Sequence, residues 1–293
     1  MQTDIRIGTL VGMGNAASFI RQVLPHGFES FQINCWKEIG NVDLERTAKE
    51  VREIIGDKAV ISSVGLFGNP LQEESTATDF GRMIDAAKLF GADVVVGFAG
   101  AIEKKPMPDS IDAFKKVWNP LQKRAKDQGV KIAFENCDMG GWWHDVRWNI
   151  AHAPQAWEMM FDALPDHENV GFCWEPCHQM VSLIDPIPQL RELLKQKKVF
   201  NVHGKDATID WNALRKYGIR GGVPYVWHRT PGFGDTNWTD IISYLRMAGY
   251  KGSIDIEGYH DPVYKDALEM TGQVHGLNYL KQCRGGPFIP NPT

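Results

Sequence analysis

The chain has 293 residues, of which 43% are hydrophobic and 23% charged, and these proportions are those of an ordinary globular protein. A formal net charge of -4 and the lack of a basic run with interleaved aromatic residues argue against a nucleic-acid partner. The N-terminal sequence shows no signal-peptide pattern, and no apolar stretch reaches the roughly 18 residues of a membrane span. The five cysteines form no CxxC pair, which favours reduced thiols and a cytoplasmic protein.

Short runs rich in β-branched residues follow one another along the chain and predict eight strands. They start at Ile5, Phe28, Ala59, Asp93, Val130, Val170, Val199 and Gly252. Their apolarity is continuous rather than alternating, which is typical of parallel strands covered on both faces. Amphipathic segments between them predict helices, most clearly over 42–55, 78–90, 112–129 and 239–250, and glycines that would end three of these helices stand at Gly91, Gly129 and Gly249.

This repeated order of strand and helix predicts the α/β class and a single (β/α)8 TIM barrel over residues 1–283. The remaining residues, 284–293, read RGGPFIPNPT and predict a C-terminal tail that cannot continue a helix. The rival is a doubly wound dinucleotide-binding sheet. It is disfavoured because GMGNAA at 12–17 is not a GxGxxG motif.

Ionisable residues stand at the ends of the last four predicted strands. They are Glu135, Glu175, His203 and Glu257. In a barrel these strand ends meet at one mouth, where three carboxylates would repel one another without a cation between them. Such a donor set predicts one divalent metal. We expect Mn²⁺, with Mg²⁺, Co²⁺ and Zn²⁺ as alternatives.

The same segments carry a resemblance to a known family. The chain resembles the xylose isomerase-like TIM-barrel superfamily, in the branch of sugar and sugar phosphate isomerases and epimerases that includes the ketose 3-epimerases. The resemblance is most specific at FEN (134–136), WEPCH (174–178), VHGKD (202–206), GFGD (232–235) and DIEG (255–258).

The resemblance implies that Glu135, Glu175, His203 and Glu257 ligate the metal and that His178 faces the substrate. Where the family usually has Asp-Pro-x-His, this chain has Glu175-Pro-Cys-His178, and the extra methylene would shift the metal or make that ligand monodentate. The superfamily also contains endonuclease IV-type repair enzymes with three zinc ions. Their additional ligands are absent here, except for His228 in Val226-Trp227-His228.

The resemblance further implies proton transfer next to a carbonyl group through an enediolate, with Glu135 and Glu257 as the two groups that exchange protons and His178 as a stabiliser of the substrate oxygen. We expect a carbohydrate substrate, either a free sugar or a keto-glycoside. A hydride shift is less favoured, because it uses a second metal and no further ligand set is evident in the sequence.

Candidate substrate-binding residues are Trp36, His144, Lys205 and His228. Lys205 and Asp206 would orient His203 or contact hydroxyl groups, or else form a local ion pair. His144 belongs to GGWWHDVRW (140–148), a segment too aromatic for a routine loop.

Two alternative functions stay open at this point. One is a lyase that cleaves 3-keto glycosides by β-elimination on the same metal site. The other is a barrel that binds sugar or metal without turnover. The family resemblance also implies self-association into a dimer or tetramer.

Overall fold

A computed structural model describes residues 4–258 and 260–292 and shows eight parallel strands closed into a barrel. The strands of the described chain are β1 (Arg6–Gly12), β2 (Ser30–Trp36), β3 (Val60–Phe67), β4 (Val94–Gly97), β5 (Lys131–Glu135), β6 (Val170–Trp174), β7 (Val199–Gly204), β8 (Asp206–Ile209), β9 (Val226–Arg229) and β10 (Ser253–Ile256). The barrel order is β1-β10-β7-β6-β5-β4-β3-β2, back to β1. Each predicted strand forms one barrel strand, so the predicted fold is confirmed.

Helices surround the barrel and cover its outer face. They are α1 (Ala16–Val23), α2 (Leu44–Ile55), α3 (Glu74–Ala86), α4 (Ile111–Asp127), α5 (Pro154–Ala163), α6 (Pro176–Val181), α7 (Pro186–Lys195), α8 (Trp211–Tyr217), α9 (Trp238–Met247) and α10 (Glu269–Cys283). Gly91, Gly129 and Gly249 follow three of the helical segments with φ of 78°, 63° and 75°. This is the left-handed conformation that glycine adopts without strain, and it confirms the predicted helix ends.

One element was missed from the sequence. After β7 the chain forms an antiparallel hairpin of β8 and β9, in which Asp206 lies opposite Arg229. The predicted run from Val199 extends to Asp206 and so includes the first residue of β8, and the residues of β9 carry no strand pattern of their own. The hairpin is an insertion at the mouth of the barrel, where βα loops of this fold carry function.

The barrel interior contains a buried polar network beneath the mouth. The Asp255 carboxylate accepts hydrogen bonds from Ser30 Oγ at 2.6 Å and Ser62 Oγ at 2.7 Å. The Gln32 side-chain oxygen accepts bonds from Ser63 and Asn201. Because these residues come from β2, β3, β7 and β10, the network ties together strands that are not neighbours. Buried polar groups that are satisfied in this way make the interior rigid.

The C-terminal segment starts at the N-terminal end of the barrel strands, where Arg284 contacts Ile5. After α10 the chain has no regular structure through residue 292, and Phe288 and Ile289 are exposed. The division into a barrel over 1–283 and a tail over 284–293 stays a prediction. No helix within the described ranges is long and apolar enough to cross a membrane.

Arg284 joins this chain end to the N-terminal end of the barrel. Its side chain is 2% exposed and pairs with the Glu29 carboxylate at 2.6 Å and 3.0 Å. It also donates to the Ile5 carbonyl at 2.6 Å, while Glu29 accepts from the Ile7 amide at 2.9 Å. This clasp lies at the end of the barrel opposite the strand ends that carry Glu135 and Glu257.

We expect Arg284→Met to lower the free energy of unfolding by about 1.5–3 kcal/mol, because the partly buried Glu29 carboxylate loses its charged hydrogen bonds and keeps only the Ile7 amide and Lys281, at 3.7 Å, as partners. Urea denaturation measures the change. The matched control is Arg246→Met, since Arg246 pairs with Asp4 but its side chain is 43% exposed. The control should cost less than about 1 kcal/mol. Equal effects of the two variants would contradict the assignment of the clasp.

The same clasp predicts a pH dependence of stability. Burial raises the pKa of Glu29, but hydrogen bonds from Arg284 and Ile7 outweigh it, and the pKa ends below its usual value. A carboxylate of this kind stabilises the fold above its unfolded pKa of about 4.3, and this contribution is lost as the pH falls through the folded pKa. The difference in unfolding free energy between wild type and Glu29→Gln should therefore shrink from pH 7 to pH 3 in urea titrations. A difference that grows at low pH would oppose this.

Candidate metal centre and active-site cavity

Four strand ends bring their ionisable side chains to one point. Glu135 ends β5, Glu175 directly follows β6, His203 lies in β7, and Glu257 directly follows β10. All four side chains are buried, and one ligand atom of each lies within 4.8 Å of those of the others. The barrel closure thus produces the convergence that the sequence predicts, in a place shielded from water.

His203 stands at the centre of this group. Its Nδ1 lies 3.3 Å from Glu175 Oε2, 3.3 Å from Glu257 Oε2 and 3.8 Å from Glu135 Oε1. Its Nε2 lies 2.9 Å from the side-chain nitrogen of Gln32, in the polar network below. The ring is therefore held from both sides, with one nitrogen facing the carboxylates. Such outer contacts orient histidines that bind metals.

Lys205 supplies positive charge to the carboxylates. Its side chain is only 2% exposed, and its Nζ lies 2.9 Å from Glu257 Oε1 and 3.6 Å from Glu175 Oε1. Burial raises the pKa of Glu257, but the Lys205 charge outweighs it and holds the pKa well below its usual value. Of the two sequence interpretations of Lys205, the structure supports a buried ion pair within the site.

The donor set fits a divalent cation. Burial raises the pKa of Glu175 despite the neighbouring charges of His178 and Lys205. Glu175 Oε1 and Glu257 Oε2 are buried without a hydrogen bond of acceptable geometry in the described chain. Buried oxygens without hydrogen bonds beside an imidazole nitrogen are what an ion such as Mn²⁺ or Mg²⁺ would satisfy.

His178 approaches the group from the first turn of α6. Pro176 begins this helix, so His178 lies directly above the end of β6. Its Nε2 is 3.1 Å from Glu175 Oε1 and 3.6 Å from Glu135 Oε1. Burial lowers the pKa of His178, but Cys137 and Glu175 outweigh this and raise the pKa well above its usual value.

A second group of possible ligands adjoins the first. Glu135, Cys137 and His178 are all buried and also place ligand atoms within 4.8 Å of one another. The sequence offered no clear second ligand set, and the structure brings together one further candidate group, which shares Glu135 with the first. Cys137 was overlooked because it lies two residues beyond the end of β5, and only the tertiary structure places it beside a helix on the next βα unit.

The mouth above these residues is a cavity of about 850 Å³ with two different sides. Glu135, His178, His203, Lys205 and Glu257 line the polar side together with two further histidines, His228 and His260. The other side is apolar and includes Leu10, Val11, Trp36, Phe67, Phe98 and Met139. A cavity with a few convergent polar groups and an apolar wall is typical of a small-molecule site.

Three of the four predicted substrate-binding residues line this cavity, namely Trp36, Lys205 and His228. Burial, followed by the charges of Lys205 and His178, lowers the pKa of His228 to about 3. His228 is therefore neutral at physiological pH, and its buried Nδ1 makes no hydrogen bond in the described chain. A neutral imidazole in this position is suited to bind a hydroxyl group.

The fourth predicted residue, His144, is not among the cavity-lining residues. It is exposed and packs edge-on against Trp142, with ring centroids 4.9 Å apart. The backbone amides of Trp142 and Asp145 each donate a hydrogen bond to the carbonyl of the other residue. The tight turn that results places His144 at its tip. His144 therefore lies away from the cavity, whereas Trp148 of the same segment stacks on the cavity-lining Trp36.

Three contributors to the cavity were not predicted from the sequence. His260 lies three residues beyond Glu257, and its Nδ1 is 3.4 Å from Glu257 Oε1. Phe67 ends β3, and Phe98 directly follows β4. Their positions in the sequence could have identified them, because every residue just beyond the C-terminal end of a barrel strand is a candidate to line the mouth.

Asp206 has a structural role. Its carboxylate accepts hydrogen bonds from the amides of Ala207, Gly232 and Thr236 at 2.8, 3.2 and 2.9 Å, which fixes the GFGD turn. A Cβ on Gly234 would lie 2.4 Å from the Asp206 carboxylate, so only glycine fits there. Four amides at this turn therefore have partners within the chain, because those of Gly232 and Thr236 donate to Asp206 and those of Phe233 and Asp235 donate to backbone carbonyls.

The sequence and the fold can now be compared with known proteins. The family model described as xylose isomerase-like TIM barrel matches residues 20–283. The chain belongs to this family. The predicted resemblance is therefore confirmed, and no curated protein matches the chain in sequence.

Several solved structures share the fold at low sequence identity. The 3-keto-D-glucoside 4-epimerase from E. coli has a TM-score of 0.67 and 14% identity, covering 96% of this chain and 100% of its own. An L-ribulose 3-epimerase has a TM-score of 0.68 and 12% identity, covering 96% of each chain. A xylose isomerase-like TIM barrel protein from Mycobacterium smegmatis in complex with magnesium has a TM-score of 0.66 and 18% identity, covering 96% and 98%.

Glu175→Gln should separate metal binding from folding. We expect chelator-treated wild type to bind one Mn²⁺ per chain and to gain thermal stability on binding. The variant should bind at least roughly tenfold more weakly, because a charged ligand is lost. Its thermal midpoint without metal should not fall, because a buried, uncompensated charge is also removed. Calorimetric titration and thermal melts measure both quantities.

Glu158→Gln, on the exposed side of α5, is the matched control and should bind Mn²⁺ as wild type does. Unchanged affinity in Glu175→Gln would remove Glu175 from the ligand set. A second bound ion that disappears in Cys137→Ser would assign the adjoining group as a second metal site.

Proposed function

We propose that this protein is a divalent-metal-dependent carbohydrate isomerase or epimerase, which moves a proton on a carbon next to a carbonyl group. The observation that carries the proposal is the pair of buried carboxylates, Glu135 and Glu257, beside one candidate metal position. They come from β5 and β10, which β6 and β7 separate in the barrel, so they approach the same point from different directions.

Glu135, Glu175, His203 and Glu257 would hold the metal. When bound, a divalent cation polarises neighbouring carbonyl and hydroxyl oxygens and so makes the adjoining C–H group more acidic. The remaining chemistry falls to side chains of the chain itself.

Glu135 and Glu257 are both held in the form that accepts a proton. Burial raises the pKa of Glu135, but hydrogen bonds from His178 and His203 outweigh it and lower the pKa to about 2. Glu257 is likewise held ionised by Lys205. Either carboxylate can therefore accept a proton from the substrate carbon, and epimerisation follows when the other carboxylate first takes up a proton from solvent and delivers it to the opposite face of that carbon.

His178 is placed to stabilise the substrate oxygen that gains charge. Its ring lines the cavity, and its Nε2 lies 3.6 Å from Glu135 Oε1 and 3.1 Å from Glu175 Oε1. A preorganised donor in a buried site stabilises developing negative charge far more strongly than water does.

Two observations support an unphosphorylated carbohydrate. Neutral His228 and the charged Lys205 line the cavity as partners for hydroxyl groups, while the GFGD turn is filled by Asp206. Two of the similar structures are named as sugar epimerases, one of them for a 3-keto-glucoside, and the third holds magnesium. We infer a free sugar or a keto-glycoside, with Mn²⁺ or Mg²⁺ as the metal.

A lyase on the same site is the second candidate. The cavity extends past the carboxylates along an apolar wall that includes Trp36 and Phe98, which leaves room for a leaving group. Removal of a proton next to the carbonyl of a 3-keto glycoside can be followed by loss of the aglycone from the β-carbon. A cytoplasmic location and self-association as a dimer or tetramer stay predictions.

Proton NMR in D₂O tests the proposal. Mn²⁺-loaded protein, exchanged into metal-free buffer, should cause loss of one C–H signal in a panel of ketoses, aldoses and 3-keto glycosides. Glu257→Gln should abolish this exchange while circular dichroism shows a folded barrel, because one of the two proton-exchanging groups is lost. Glu158→Gln should exchange at the wild-type rate.

The products then separate the candidates. Exchange with mass retained apart from deuterium supports the isomerase or epimerase, and release of an aglycone supports the lyase. Wild-type exchange in Glu257→Gln would refute the scheme with two carboxylates. Bound metal without exchange in any member of the panel would favour a protein that binds without turnover.

A further inference from the structure

We propose that the apolar side of the cavity is a subsite for a planar, apolar aglycone, so that the substrate is an aryl glycoside rather than a free monosaccharide. This inference rests on the proposed function, because it assigns a substrate class to the same site. It is carried by the size of the cavity, by the order of the aromatic rings in it and by the exposure of Trp36.

The cavity is much larger than a single sugar. Its volume is about 850 Å³. A hexose takes the space of about six waters, or roughly 180 Å³ at the ~30 Å³ that each occupies in the liquid. A cavity of this size is in the range that holds a ligand of two or three rings. A monosaccharide bound at the carboxylates would leave most of the apolar side in contact with water.

The aromatic rings form a connected row that leads away from the metal centre. Phe67 lies beside His203, with ring centroids 6.4 Å apart. Phe98 follows at 5.1 Å from Phe67, and Trp36 at 6.3 Å from Phe98. A sugar ring held at the carboxylates reaches Phe67. Trp36 stands at the other end of the row, at the cavity rim, where a group attached to the sugar would reach it.

Trp36 is a rigid and exposed platform at the end of this row. Trp148 stacks on one face of it, with centroids 5.6 Å apart and planes at 19°, and Phe98 meets it at 84°. Trp148 is in turn covered by Lys37, whose Nζ lies 5.2 Å from its ring. Trp36 nevertheless remains 58% exposed at the cavity rim. A fixed indole with a free face is suited to stack on a planar apolar group.

The separation of polar from apolar lining residues determines how a ligand would be oriented in the cavity. The carboxylates of the metal centre, Lys205 and the histidines lie on the side of Glu135 and Glu257, where a sugar has hydroxyl and carbonyl oxygens to offer. The opposite side is mainly apolar and offers Leu10, Trp36 and Phe98. Asn34 and Asp138 add two polar groups to the lining. An aryl glycoside has this same division into a polar ring and an apolar ring, and both parts are satisfied in one orientation.

Binding of glycosides that carry no keto group tests the subsite without turnover. We expect Mn²⁺-loaded wild type to bind phenyl β-D-glucopyranoside about tenfold more tightly than methyl β-D-glucopyranoside in calorimetric titrations. Trp36→Ala should reduce this ratio to near one, and Trp36→Phe should keep part of it. Trp211→Ala is the matched control, because Trp211 is 49% exposed in α8 and does not line the cavity, and it should keep the wild-type ratio.

Equal affinities for the two glycosides in wild type, failure of the phenyl glycoside to bind, or a ratio that survives Trp36→Ala would each overturn the subsite. Thermal melts establish that the variants are folded. The proton-exchange experiment is independent of this one. Exchange of free sugars without a phenyl preference refutes the subsite alone, and a Trp36-dependent preference without any exchange refutes the enzymatic function alone.

Discussion

The burial of three carboxylates at one end of the barrel is the constraint on which the rest of the site depends. Glu135, Glu175 and Glu257 are almost completely shielded from water, and such charges are unfavourable unless they are compensated. The chain compensates them in part with Lys205 and with the imidazoles of His178 and His203. Glu175 Oε1 and Glu257 Oε2 still lack a hydrogen bond in the described part of the chain, and a divalent cation would satisfy them.

The residues of the metal centre are held in place by the polar network in the barrel interior. His203 is fixed by Gln32, and Gln32 is fixed by Ser63 and Asn201 within the polar interior of the barrel. Parallel strands whose interior is apolar would offer no such anchor. The polar network therefore connects the packing of the barrel with the chemistry of its mouth, because it orients the one nitrogen donor among the oxygen ligands. The Glu29–Arg284 clasp lies at the other end, where stability can change without altering the site.

The two sides of the cavity follow from which strands carry which residues. Strands β5, β6, β7 and β10 have an ionisable residue at, next to or directly after their C-terminal end. In contrast, β2 ends in Trp36, β3 ends in Phe67, and β4 is directly followed by Phe98. Barrel closure sets these two arcs opposite each other across the mouth. A ligand that spans the mouth therefore meets charge on one side and aromatic rings on the other, and this gradient orients it.

The sequence by itself determined the barrel and its principal ionisable residues. Continuous apolar runs identify buried parallel strands, and a glutamate or histidine at the end of such a run has to be compensated wherever it lies. Only the tertiary structure decided which neighbours provide that compensation. Lys205 faces the carboxylates while Asp206, the next residue, secures the GFGD turn, because successive residues of an extended chain point to opposite sides. Cys137, His144 and His260 lie in loops, whose paths depend on contacts between units distant in sequence, and periodicity carries no information about such contacts.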